Sequence, residues 1–401
     1  VDEEAAGANS QLGPAQDRAG KEIAMSAIRC WFCIGIGVLG VVAGLAVPET
    51  RAADRDLLVS TTDNRSVMRF DGVTGISRGP FVSPGSGGLR RAVGMTYGPD
   101  GNLYVGDSGG QYTPANVKRY NGRTGAFIDT FVSDGGLFGV LDMVFGPDGN
   151  LYVTSAWPPI QLRCYHGTTG ALIDVFAPYG GPDLALAAFK GDILYTIGRP
   201  GVLRYSVKTR AFLDVFVADS SIFDATNGMV FGPDGNLYVT YYDQVLRFNG
   251  TTGALIDVFV KPGTLSSSPV GLVFGPDGDL YVVSYYGNRV QRYDGTTGTP
   301  LGPFASVPTP WDLVFMPHPA DFDADEDVDI ADFGRFQVCA TGPAVPYNPA
   351  ALPPGCKMPL DADGHIAADF DKDGDVDADD FGVFQRCYNG QNRPAGTRCL
   401  E

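Results

Sequence analysis

The chain has 401 residues and a formal net charge of −17, with 54 glycines, 29 prolines and 11% aromatic residues. An acidic surface opposes a nucleic-acid ligand, whose phosphates demand a basic one. The composition is that of many short strands joined by tight turns, and the length admits two or three domains.

In chain order, residues 1–24 read as an upstream extension ahead of Met25, and residues 25–53 as a secretory signal peptide. Arg29 precedes an uncharged apolar run over 30–47, and small residues follow near Ala46 and Ala52. A single membrane anchor is the competing reading, because the run reaches the lower length limit for a spanning helix. A folded domain follows almost at once, which favours the signal peptide. The mature protein is then expected to be secreted or at the cell surface, with no membrane segment after cleavage.

From residue 55 a repeat takes over. Nine residues recur almost unchanged: YGPDGNLYV (Tyr97 to Val105), FGPDGNLYV (Phe145 to Val153 and Phe231 to Val239) and FGPDGDLYV (Phe274 to Val282). Each copy predicts a strand, an Asp-Gly turn and a second strand. A third strand with its glycine hairpin also recurs, as in VKRYNGRTG ending at Gly125 and VLRFNGTTG ending at Gly253, and a fourth apolar run completes each unit. Four strands per repeat, six times, predict a six-bladed all-β propeller. The fourth blade is degenerate, with Phe189-Lys-Gly-Asp192 in place of the turn and Arg210 in place of the hairpin glycine. The first blade lacks an inner strand, and an orphan strand, Trp311 to Phe315, follows the sixth. Pairing the two closes the ring and removes an open edge, which favours a propeller over a solenoid. The GPDGNLYV signature resembles NHL-type and gluconolactonase-like six-bladed propellers, and the resemblance places that fold over about 55–316.

The acidity concentrates beyond the ring: residues 321–381 hold 16 Asp/Glu against 3 Lys/Arg. Two twelve-residue loops share one register, Asp321, Asp323, Asp325, Asp327, Asp329, Asp332 and Asp369, Asp371, Asp373, Asp375, Asp377, Asp380, and equivalent residues lie 48 apart. Oxygen donors at positions 1, 3, 5, 9 and 12, with a backbone carbonyl at 7, are the spacing by which a loop wraps Ca²⁺, and one or two ions are expected. Position 8 is valine in both, the apolar residue that lets two loops pair. An amphipathic helix should follow each loop. In the first loop Glu326 replaces the glycine of the sharp bend. A loop followed by one helix, duplicated, with Asp at position 12, resembles type I dockerin modules. The resemblance covers about 320–391, leaves 392–401 as a tail, and implies a small α-helical EF-hand-like domain that docks on a cohesin-like partner or cell-surface scaffold. In an exported chain Cys339, Cys356, Cys387 and Cys399 can form disulfides. Four cysteines allow three pairings, of which Cys339–Cys356 and Cys387–Cys399 close the shortest loops. Cys164 reads as a packed core thiol.

A propeller ligand site is expected over the central channel, in the turns between second and third strands. Tyr112, Trp157, Tyr241, Tyr242, Tyr285 and Tyr286 fall there, and aromatics beside Asp and Asn suit a carbohydrate or peptide ligand. His166, His318 and His365 form no evident triad or metal set with their sequence neighbours, so a binding or scaffolding role is expected before catalysis. The alternative is a polysaccharide-active hydrolase or lyase. A lactonase is disfavoured, because the resemblance implies a channel metal held partly by Glu, and no Glu occurs between Asp54 and Trp311.

Overall fold

The computed structural model describes residues 55–390 apart from 110–112, 156–160, 177–184, 223–225, 266–267, 323–326, 359 and 361–363. The expected signal peptide and upstream extension, Tyr112, Trp157, Asp323, Asp325, Glu326, Cys399 and the tail lie outside the described residues.

Six four-stranded antiparallel sheets form the ring. Blades 2 to 6 run consecutively over residues 92–132, 142–175, 185–218, 229–260 and 269–306. Blade 1 takes three strands from residues 57–82 and its inner strand, Pro310–Phe315, from the far end of the ring. Leu57 faces Phe315, Leu58 faces Val314 and Val59 faces Leu313, so the orphan strand closes the ring as the sequence predicts.

The repeated nonapeptide carries both halves of the contact between blades. Its tyrosine is fully buried and meets two rings edge to face, one from the outer strand of its own blade and one from the inner strand of the next. Tyr104 lies 4.9 Å from both Phe131 and Phe145, and Tyr238 lies 4.9 Å from both Phe259 and Phe274. Such geometry adds about 1 kcal/mol beyond area burial. The tyrosine hydroxyl donates to the turn aspartate, Tyr104 to Asp100, Tyr152 to Asp148, Tyr238 to Asp234 and Tyr281 to Asp277, at 2.9–3.0 Å. The first turn glycine is needed because the same ring packs on it: a Cβ on Gly98 would lie 2.6 Å from Tyr104.

Departures from the repeat compensate one another. Third-strand arginines bond outer-strand aspartates in blades 2, 4 and 5, through Arg119–Asp129, Arg204–Asp214 and Arg247–Asp257. Blade 3 has Cys164 instead, facing Asp174 across the ladder. Asp174 is met by Arg210 at 3.6 Å, the residue that replaces the hairpin glycine of blade 4. Cys164 is a buried free thiol, and burial pushes it up to about 11, so it is no nucleophile at neutral pH.

The C-terminal module holds helices α1 (Ile330–Cys339) and α2 (Ala378–Cys387) over a separate core. Equivalent phenylalanines meet each other: Phe322 with Phe370, Phe333 with Phe381 and Phe336 with Phe384, at 5.5–6.1 Å. That is an approximate two-fold arrangement. Val328 and Val376 are buried, but their carbonyls bond across it to the chain leaving the other helix: Val376 accepts from Thr341 and Gly342, and Val328 from Asn389 and Gly390. A disulfide joins Cys339 to Cys356, and Cys387 is also disulfide-bonded. The module is tied to the ring by Asn121 Nδ2 donating to the Leu360 carbonyl at 2.9 Å and Arg335 Nη1 donating to that of Pro99 at 3.1 Å. Both ring residues belong to the GPDG and glycine-hairpin turns, so the module sits at the end opposite the expected ligand face. No described helix is long and apolar enough to cross a membrane.

Candidate metal loops and ligand face

The second acidic loop folds into two carboxylate triads. Oxygens of Asp369, Asp371 and Asp373 lie within 4.8 Å of one another, and so do those of Asp375, Asp377 and Asp380. Each cluster can hold a metal ion. The loop is held by its own carboxylates. Asp377 caps α2 by accepting from Asp379, and Asp380 returns to accept from the Asp377 and Phe370 amides at 2.9 and 2.6 Å. Asp369 Oδ2 accepts from the Tyr347 hydroxyl and the Gly374 amide. What remains is informative: Asp369 Oδ1 and Asp375 Oδ1 are buried with no hydrogen-bond partner. A buried carboxylate oxygen left so costs free energy unless a cation meets it. Burial, with the nearby Asp371 charge, pushes Asp380 up to about 6, a sign of crowding among these acids. Sequence spacing assigns position 7 a carbonyl role, yet the Asp375 side chain itself joins the cluster.

In the first loop Asp327, Asp329 and Asp332 form the equivalent triad. Asp329 caps α1, and Asp332 accepts from the Asp329 amide at 2.8 Å and from Phe322 at 2.5 Å. Asp321 is buried beside them. Asp323 and Asp325 lie outside the described residues, so the triad at positions 7, 9 and 12 is what the two loops share.

At the other end of the ring, Tyr241 and Tyr242 of blade 5 meet edge to face at 4.8 Å, and Tyr285 and Tyr286 of blade 6 do so at 5.1 Å. Tyr285 also packs on Trp311, 5.9 Å away, and Tyr241 bonds Ser221. The inner members are anchored, whereas Tyr242 and Tyr286 are 62% and 72% exposed. Tyr242 sits in a two-residue hairpin turn at φ 52°, a conformation that favours glycine or asparagine. Holding a bulky aromatic there costs on the order of 1 kcal/mol. The expected contributions of Tyr112 and Trp157 lie outside the described residues.

The channel holds two carboxylates that the sequence does not single out. Asp142 opens the inner strand of blade 3, and Asp312 lies in that of blade 1. Asp142 accepts from the Met143 and Ala187 amides, and Asp312 from Leu313 and Met95, so each clamps its neighbouring blade. They line one channel cavity of about 50 Å³ together with Asn227. Burial raises Asp142 to about 6; burial and then the Asp142 charge raise Asp312 to about 7. Folded-state values above the unfolded one mean that the native state retains these protons longer. Their contribution is therefore fully present below pH 4 and is lost as pH rises to about 7. Asp312→Asn should cut the slope of melting temperature against pH between 5 and 7 by roughly half, while costing about 1 kcal/mol at every pH for the amide that loses its acceptor. An unchanged slope would show that these groups do not titrate in this window.

No protein-family model matches the chain, and no curated protein matches it. Among solved structures it is similar to a chain in the crystal structure of a nidogen/laminin complex, with TM-score 0.53 and 13% identity over 65% of this chain and 98% of that one. The likeness is one of fold: the six-bladed propeller.

Proposed function

We propose that this is a secreted bacterial binding protein. Its propeller presents an aromatic face to a carbohydrate or peptide ligand, and its C-terminal module, of dockerin type, folds around Ca²⁺ and docks the ring on an extracellular scaffold or cohesin-like partner. For the module, the support is two acidic loops in one register and, in the second, the buried Asp369 and Asp375 oxygens that no protein group meets and that suit a cation. Oxygen-only donors, several of them carboxylates, suit Ca²⁺ better than zinc or copper. For the face, the observation that carries the reading is Tyr242, an exposed aromatic kept at a hairpin tip against its backbone preference. Such strain persists where the side chain serves something beyond the fold.

Tyr242→Gly separates the two roles. It should raise stability by about 0.5–1 kcal/mol by relieving the positive φ and lower ligand binding at least tenfold on a glycan and peptide array. Tyr286→Ala should lower binding without changing the melting temperature. Binding that survives both substitutions would place the ligand elsewhere. An array signal lost with chelator would assign that ligand to the module instead.

A further inference from the structure

The seam between the ring and the module encloses a cleft of about 710 Å³, the size of a small-ligand site. Its walls are pinned on two sides by the Asn121–Leu360 and Arg335–Pro99 hydrogen bonds. In a strongly acidic protein the described lining is basic: Arg69, Arg119, Arg123, Arg335 and Lys357 against Asp100 and Asp321. Two of these cations are neutralised within the ring, Arg69 by Asp56 and Arg119 by Asp100 and Asp129. Arg335 spends its Nη1 on two neutral carbonyls, of Pro99 and Phe322. Arg123 and Lys357 have no acidic partner among the described residues, and Arg123 Nη1 is buried without any hydrogen-bond partner. Arg123 lines the cleft, and a guanidinium there without an acid to neutralise it is a ready donor to an anion. Between the cations, Tyr97, Met316 and Phe322 give the cleft apolar wall for the body of an organic molecule.

We propose that this cleft is a second binding site, for a small organic carboxylate whose charge is met by Arg123 from the ring and Lys357 from the module. The two cations come from different domains, so the ligand would also lock the module to the ring. This site is independent of the aromatic face.

The test titrates the full chain, saturated with Ca²⁺, with glucuronate, benzoate and glucose, followed by ligand-observed NMR. At least one carboxylate should bind, glucose should not displace it, and binding should weaken with added salt. Glucuronate alone would mark a sugar acid, benzoate alone an aromatic acid. Arg123→Gln and Lys357→Gln should each weaken binding about tenfold, the order expected for one charge-assisted contact. Tyr242→Gly should leave it unchanged, which separates this site from the aromatic face. Lys357 is exposed, so its variant decides the matter even if Arg123→Gln fails to fold. Failure of both carboxylates to bind, their displacement by glucose, or indifference to Lys357→Gln would overturn the proposal.

Discussion

Chelating divalent cations from the full chain is expected to melt the C-terminal module and leave the propeller folded. Within each triad the carboxylate oxygens lie no more than 4.8 Å apart. At that separation two charges repel by about 1 kcal/mol in water and about 3–4 kcal/mol at the effective dielectric of a protein surface. The module core is small, a dozen buried residues around Phe336 and Phe384, and can absorb little of that cost. Ca²⁺ at a thousandfold over its dissociation constant adds about 4 kcal/mol. For a module of this size that corresponds to a melting shift of roughly 15–30 °C. Calorimetry with Ca²⁺ and with EDTA should thus show one transition that moves and one that does not. Asp369→Asn sharpens the test. The Oδ2 bonds to Tyr347 and Gly374 survive, while the unpartnered Oδ1 becomes an amide nitrogen that cannot ligate a cation. Ca²⁺ affinity should fall at least tenfold, and the metal-free protein should be no less stable than the parent, because one repelling charge is gone. A module transition indifferent to EDTA would remove the metal from the account.

The legible parts of this molecule are those whose physics is local. The acidic loops could be read because their carboxylates fall within twelve consecutive residues, and the blades because each strand and turn carries its own period and glycine. The closing strand was legible from complementary gaps at the two ends. What escaped depends on closure and docking. Asp142 and Asp312 look like two among many aspartates, and only a closed ring brings residues 170 positions apart to one channel cavity. The GPDG turns read as links between two strands of a blade. Their tyrosine and aspartate are indeed spent on the fold, yet Pro99 and Asp100 also line the cleft once the module sits on them. Val328 and Val376 were expected to pair the two loops. They are buried, but their carbonyls are met by the chain beyond the opposite helix, an exchange that no twelve-residue pattern can reveal.

Leu313→Ala is expected to destabilise the whole propeller by about 3 kcal/mol, the usual cost of emptying a well-packed leucine site. Leu313 is buried in the last strand, against a core that includes Leu57 and Val59 of the first. The same strand bonds the start of the ring through Asp312 and Ser60, at 3.0 Å. A blade assembled from both ends of the ring couples them: opening it exposes an unpaired edge and removes one face of support from the blades on either side. The loss should therefore appear in a single, cooperative urea transition of the ring at lower midpoint, not as early release of one blade. Leu213→Ala is the matched control. Leu213 lies on an outer strand and is 48% exposed, so the same truncation should cost no more than about 0.5 kcal/mol. Equal effects at the two sites would deny the closing strand a special role. A separate early transition in Leu313→Ala would show that blade 1 opens alone, and that the other five blades stand without the closure.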